Sequence, residues 1–298
     1  MESVTNVADL LKVDESCAKA SETVFAALGS NALECANAGL RVFAAAAKWV
    51  RKWEENHPSN EAFNKTAEEL GLSGQQLYAI VCRPPNPSGE DARVTKARGI
   101  DKEVCQALAR RTLLQLLWRA YRWGLTDLRR LKLTAAAGYI RVEAESVALL
   151  LLFQERSDLA ERWLNPKESM VKFFRETQGD VKKILEKHKL TMAYEHGSAV
   201  AQHARFASAA RGIRVQAGDV QVLDQEFDPE EPVSFHLGLA YFLRMQKRFF
   251  DLLPIVFAGL QDDEEFKTVL AEFTSLEEKT WWVMERKYET EIKEFYVE

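Results

Sequence analysis

Two histidines and one arginine–glutamate pair are the residues here whose types and spacing could do chemistry. In "KLTMAYEHGSAVAQHARFASAARGI", residues 189–213, His196 and His203 stand seven apart. On a helix they share a face with Ala199, Val200, Phe206 and Ala207, while Glu195, Ser198, Gln202 and Arg205 lie toward the other side. Seven helical residues span about 10 Å at ~1.5 Å each, too far for both imidazoles to ligate one metal ion unaided. His203, followed by His196, is the candidate for a general acid or base; the alternative is a pair of satisfied core histidines. A di-iron bundle would need two Glu-x-x-His units on separate helices, and one occurs, "EENH" at Glu54 to His57. No zincin, G-x-S-x-G, Walker or dinucleotide motif is present. The sequence therefore assigns no metal and no cofactor.

The pair is in "RVEAES". Arg141 and Glu145 stand one helical turn apart, directly before the apolar run "VALLLLF" at 147–153. Charges entering a core are costly unless paired, so the two are either a structural ion pair or the wall of a pocket. Glu143 points elsewhere, about 160° round the helix from Glu145.

Two further stretches suit nucleic acid. "TAEELGLSGQQLYAIVCR", within 61–83, reads as a helix-turn-helix: Gly71 permits the tight turn, and Ala67, Leu77 and Ile80 sit where the helices would pack. Its second helix offers Gln75, Gln76 and Arg83 to a groove, with Glu68 and Glu69 beside where phosphates would lie. From Asp91 to Lys132 there are eleven Lys and Arg against four Asp and Glu, whereas the residues from Asp224 onward carry a net charge of −10. Trp118, Tyr121 and Trp123 interleave with Arg119 and Arg122. That pattern serves base stacking, or equally a bundle core with snorkelling arginines.

The elements that must position these residues are helical. Across 298 residues the chain has only 14 Gly and 8 Pro, with 47% hydrophobic and 29% charged residues, the balance of a globular protein poor in turns. The formal charge of −5 argues against indiscriminate nucleic-acid binding but not against a local basic face. Cys17, Cys35, Cys82 and Cys105 show no C-x-x-C spacing and read as reduced, mostly buried thiols. The start lacks a signal-peptide pattern and the longest apolar run is far short of a bilayer span. A cytoplasmic protein with no membrane partner is expected.

The expected fold is all-α: an elaborated helical bundle with a small helical N-terminal subdomain over 1–98, a bundle over 99–298, and one short β-like excursion. The boundary falls in "RPPNPSGEDARVTKARG", 83–99, whose Pro, Gly and charge support neither periodicity. The excursion is "GIRVQAGDVQVLDQEF", where Val and Ile alternate about "AGD". The "AESVALLLLF" helix should lie at the centre, packed by a Tyr194–Ala210 helix and the two C-terminal helices. In the last of these Phe266, Leu270, Phe273, Leu276, Met284, Tyr288, Ile292 and Phe295 share a face.

The order "IRVEAESVALLLLFQERSDLAERWL" followed by "YEHGSAVAQH" resembles a group of all-helical, mostly bacterial proteins related to the HEPN superfamily (higher eukaryotes and prokaryotes nucleotide-binding domains). The resemblance covers roughly residues 130–210 and rests on Arg141, Glu145, Ser146, Trp163, Tyr194, Ser198 and His203. It implies a bundle of about four or five helices with an N-terminal extension, and metal-independent RNA cleavage in its catalytic members. Those use an Arg followed four to six residues later by His. Here that spacing occurs as Arg51 to His57 in "RKWEENH", in an N-terminal helix rather than a late one.

Two functional readings follow. In one, a HEPN-like protein binds or cleaves RNA or nucleotides in a defence or stress system, with His203 as acid or base, Arg141 on phosphate and Glu145 beside them. In the other, a non-catalytic module binds a protein partner or self-associates through its helices, and those residues form a buried polar network. Helix-turn-helix DNA binding stands behind both.

Overall fold

An apolar run with almost no polar side places one helix in the middle of this molecule. The computed structural model describes residues 30–55, 58–81, 102–130, 133–164, 170–195, 213–216, 219–222 and 233–290, with 15, 19, 22 and 23 besides. Helix α5 (Leu133–Glu155) contains that run, and every residue from Ser146 to Phe153 is buried. It is flanked by α4 (Lys102–Arg129), α6 (Ser157–Leu164), α7 (Met170–Lys187) and α8 (Val233–Val256). The central position expected for it holds, as does the all-α bundle.

The bundle has a second layer. Helix α1 (Ser30–Glu55) packs most extensively on α9 (Glu264–Lys287), and both touch α8. Contacts between Arg41 and Glu272 and between Lys48 and Glu265 run in opposite sequence order, so α1 and α9 are antiparallel. Phe43, Phe250 and Phe273 meet edge to face between α1, α8 and α9, with ring centroids 5.0 Å apart for each pair with Phe250; such pairs add about 0.5–1.5 kcal/mol to their burial. Of the two C-terminal helices, α8 lies on α5, whereas α9 lies mainly on α1. Helices on both sides of the 98/99 boundary share one hydrophobic cluster, from Ala32–Val81 to Val104–Tyr288. The 83–99 linker lies outside the described residues.

Local chemistry explains several element ends. Asp263 caps α9, its Oδ1 accepting from the Phe266 N–H at 2.9 Å, and Glu264, Glu265, Arg286 and Lys287 complement the helix dipole at its two ends. On the predicted α9 face Phe266, Phe273, Leu276, Met284 and Tyr288 are buried and Leu270 half-buried; Ile292 and Phe295 lie outside the described residues. Helix α2 (Pro58–Glu69) carries its proline in the first turn, where the missing N–H costs nothing. Gly71 turns the chain at φ 64°, and Ser73 opens α3 (Gly74–Val81) with a reciprocal box, Gln76 N–H to Ser73 Oγ at 3.2 Å and Ser73 N–H to Gln76 Oε1 at 2.8 Å. Gly179 does not divide α7, which runs through it as one helix. The expected excursion is a hairpin: β1 (Ile213–Gln216) pairs antiparallel with β2 (Asp219–Val222), Ile213 opposite Val222.

Candidate nucleic-acid interface

The α4 sequence sorts its large residues by face. Leu113, Leu114, Leu117, Tyr121 and Leu128 are buried. Tyr121 is fixed by donating from its hydroxyl to the Ala36 carbonyl of α1 at 2.8 Å, above Gly39, where a Cβ would collide with the phenol. Gly124 makes the matching close approach to α8, since a Cβ there would stand 2.7 Å from the Phe242 ring. These contacts fix the rotation of α4, and with it what faces outward.

That outward face is basic and aromatic. Arg111, Gln115, Trp118, Arg119, Arg122, Trp123, Thr126 and Arg129 are all exposed, at the three- and four-residue steps of one helical face. Trp118 is 37% and Trp123 49% exposed, which separates them from Tyr121 at 0% and replaces the core-with-snorkelling-arginines alternative for both tryptophans. The Arg122 guanidinium lies 4.5 Å from the Trp118 ring centroid, and Trp123 leans on Tyr139 at 5.8 Å. From Val104 to Thr126 the helix has no carboxylate. Among the described residues Arg119 and Arg122 have no ion-pair partner, and Arg129 meets Glu22 at 3.6 Å in an exposed pair, a contact worth little in water. Asp127, at the far end, is engaged by Tyr139, whose phenol is raised by burial and by that carboxylate.

At its N-terminal end the same face enters a cavity of about 370 Å³ between α2, α3 and α4. Val104, Ala107 and Leu108 of α4 form its apolar side, and Phe63, Tyr78 and the carboxamides of Asn60, Asn64, Gln75 and Gln115 surround the rest with Arg111. The Tyr78 hydroxyl shares a 2.7 Å hydrogen bond with Thr112 Oγ1, which seats α3 on α4. Of the proposed groove-reading residues, Gln75 therefore lines this cavity, Gln76 spends its amide oxygen on the α3 cap, and Arg83 lies outside the described residues. Helix α3 otherwise exposes only Ala79.

The Arg141 constellation is built differently. Arg141 is half-buried with its guanidinium 5.1 Å from the Tyr194 ring, and its Nε has no hydrogen-bond partner. Burial raises the Glu145 carboxyl and the Arg141 charge pulls it back, yet among the described residues the two do not close to an ion pair. His196 and His203 lie outside the described residues, so the structure brings together Arg141, Glu145 and Tyr194 of that set.

Sequence reasoning missed a buried polar seam. Glu143 is fully buried on α5, accepting at Oε2 from the Gln246 amide of α8 at 2.6 Å, while its Oε1 and the Gln246 Oε1 have no partner. Burial pushes its carboxyl well above the usual range, and the Gln246 bond offsets part of that. Beyond it, Glu277 pairs with Arg244 Nε at 3.2 Å, and the Arg244 guanidinium sits 3.7 Å over Trp281. Burial, then Glu277, raise the Cys35 thiol far above its ordinary value. His236 Nδ1 and the Tyr288 hydroxyl share a buried hydrogen bond. The helical periodicity that put Glu143 opposite Glu145 was the available signal.

Among the described residues no group of three or more His, Cys, Asp or Glu could hold a metal ion, and no helix is long and apolar enough to cross a membrane. Comparison with protein-family models, curated proteins and solved structures finds no match to this chain.

Proposed function

We propose that this protein binds single-stranded RNA along the exposed face of α4, without cleaving it. The observation that carries the reading is the Arg–Trp face itself: two exposed tryptophans alternating with arginines, on a helix whose central turns hold no carboxylate. Arginines track the phosphates of a flexible strand while exposed aromatic rings accept its bases, and both work without reading sequence. From Arg111 to Arg129 the face extends about 27 Å at ~1.5 Å per residue. The HEPN-like resemblance over roughly 130–210 points to the same polymer. The Arg141 guanidinium is laid on the Tyr194 ring and does not close on Glu145.

Fluorescence anisotropy with labelled RNA oligonucleotides, over a salt titration, tests this. Engagement of Arg111, Arg119, Arg122 and Arg129 corresponds to a slope of log K against log salt of about −3, at ~0.7 per phosphate for a single strand. Replacing Arg119 and Arg122 together by Glu should flatten the slope, and Trp118→Ala should weaken binding by about 1–3 kcal/mol. Intact RNA after incubation in EDTA, with wild type and His203→Ala alike, is the expected companion result. Unchanged affinity in the charge-reversed variant would sink the reading; cleavage lost in His203→Ala would restore the nuclease.

A further inference from the structure

We infer that the cavity between α2, α3 and α4 is a nucleobase pocket, taking the base of a phosphate-bearing nucleotide at the end of the α4 face. Its volume of about 370 Å³ falls in the range of small-molecule sites, ~300–1,000 Å³. Its lining matches the chemistry of a base. Val104, Ala107 and Leu108 offer one apolar side and Phe63 and Tyr78 two aromatic rings, so a flat ligand finds non-polar surface. Carboxamides each present a donor and an acceptor, and four of them converge here, Asn60, Asn64, Gln75 and Gln115. Mixed donors and acceptors are what the edges of unstacked bases display.

Charge narrows the class further. Among the described residues no carboxylate lines the cavity and Arg111 does, so the charge they present favours a phosphate over a cationic ligand. Arg111 and Gln115 belong at once to the cavity and to the exposed face that continues through Trp118, Arg119 and Arg122. A strand lying on α4 thus reaches the cavity with its next base. The assignment rests on the α4 reading where the base belongs to RNA; a free 5′-mononucleotide would bind without it.

Binding of the four nucleoside 5′-monophosphates and their parent nucleosides, by saturation-transfer NMR, separates the two sources when run beside oligonucleotide anisotropy. The informative variant is Gly74→Leu. A Cβ at Gly74 would stand 3.6 Å from the Phe63 ring, an ordinary contact, so the longer side chain is built into the cavity from a tolerant position. Gln75→Ala, which removes one carboxamide and adds no bulk, serves should Gly74→Leu melt early. At least one monophosphate should bind wild type, its nucleoside about tenfold more weakly, and Gly74→Leu should weaken the monophosphate and the oligonucleotide at least tenfold. An oligonucleotide effect without monophosphate binding would assign the pocket to strand bases alone. Monophosphate binding indifferent to both variants, or no monophosphate binding together with an unchanged oligonucleotide, would overturn the assignment. The Arg119, Arg122 charge reversal reports on the α4 face separately, since it should leave the monophosphate in place.

Discussion

Glu143 supplies a prediction whose sign and size both come from the fold. It is sealed between α5 and α8 with one oxygen on the Gln246 amide and the other without a partner. Burial in such a place disfavours the charged form, and its carboxyl is raised well above the ordinary value. The protonated acid also brings an O–H donor to a site where two buried oxygens, Glu143 Oε1 and Gln246 Oε1, have no partner. In the unfolded chain the same carboxyl ionises near ~4.3. The folded state therefore holds the extra proton, and stability is lost as pH rises from about 4.3 toward the folded value, by up to ~1.4 kcal/mol per pH unit. Glu143→Gln keeps the shape and removes the proton difference. Between pH 4.5 and 6.5 the variant should gain steadily on wild type. Urea unfolding of both proteins at several pH values measures this, and groups that titrate in both cancel in the difference. A gap that does not change with pH would refute the buried acid. A gap moving the other way would mean that Glu143 is ionised and paired in the fold.

Two other perturbations test the packing that sets the α4 face. Gly39→Ala drives a methyl into the Tyr121 phenol and should cost about 1–3 kcal/mol in chemical denaturation; Tyr121→Phe in the same chain should return part of it, and strict additivity of the two would count against the contact. Asp263→Ala removes the α9 cap and should lower stability by about 1 kcal/mol, read as an earlier urea midpoint, whereas an unchanged midpoint would show that α9 begins elsewhere.

Much of the scaffold was legible because single segments carried it. The α9 face, the Gly71 turn, the burial of α5 and the hairpin all follow from periodicity or turn chemistry within a few residues. The α4 face was legible in composition but not in direction. Tyr121 and its two tryptophan neighbours are equally apolar, and what turns Tyr121 inward is Gly39, on another helix. Glu143 was legible only as a side chain turned away from Glu145: α5 is apolar nearly all round, so that direction named no particular neighbour, and its partner Gln246 lies 103 residues away. Helix α9 carried a readable stripe, but nothing in the stripe says that it meets α1 rather than α5. For the Arg141 set, Tyr194 stands in the same stretch as His196 and His203, while its stacking under the guanidinium depends on where the chain returns after α7.

The antiparallel pairing of α1 with α9 has a consequence for how the chain is made. Synthesis runs from the N-terminus, so α1 leaves the ribosome with its apolar face ready and its partner unwritten. Between Glu55 and Glu264, at about 5–20 residues per second, roughly ten to forty seconds pass before α9 begins to appear. Throughout that interval Cys35, whose thiol donates to the Phe273 carbonyl in the fold, and Arg41 and Lys48, which pair with Glu272 and Glu265, have no α9 to meet. A nascent chain in this state invites a chaperone, and a message broken before α9 would release a product with an uncovered first helix.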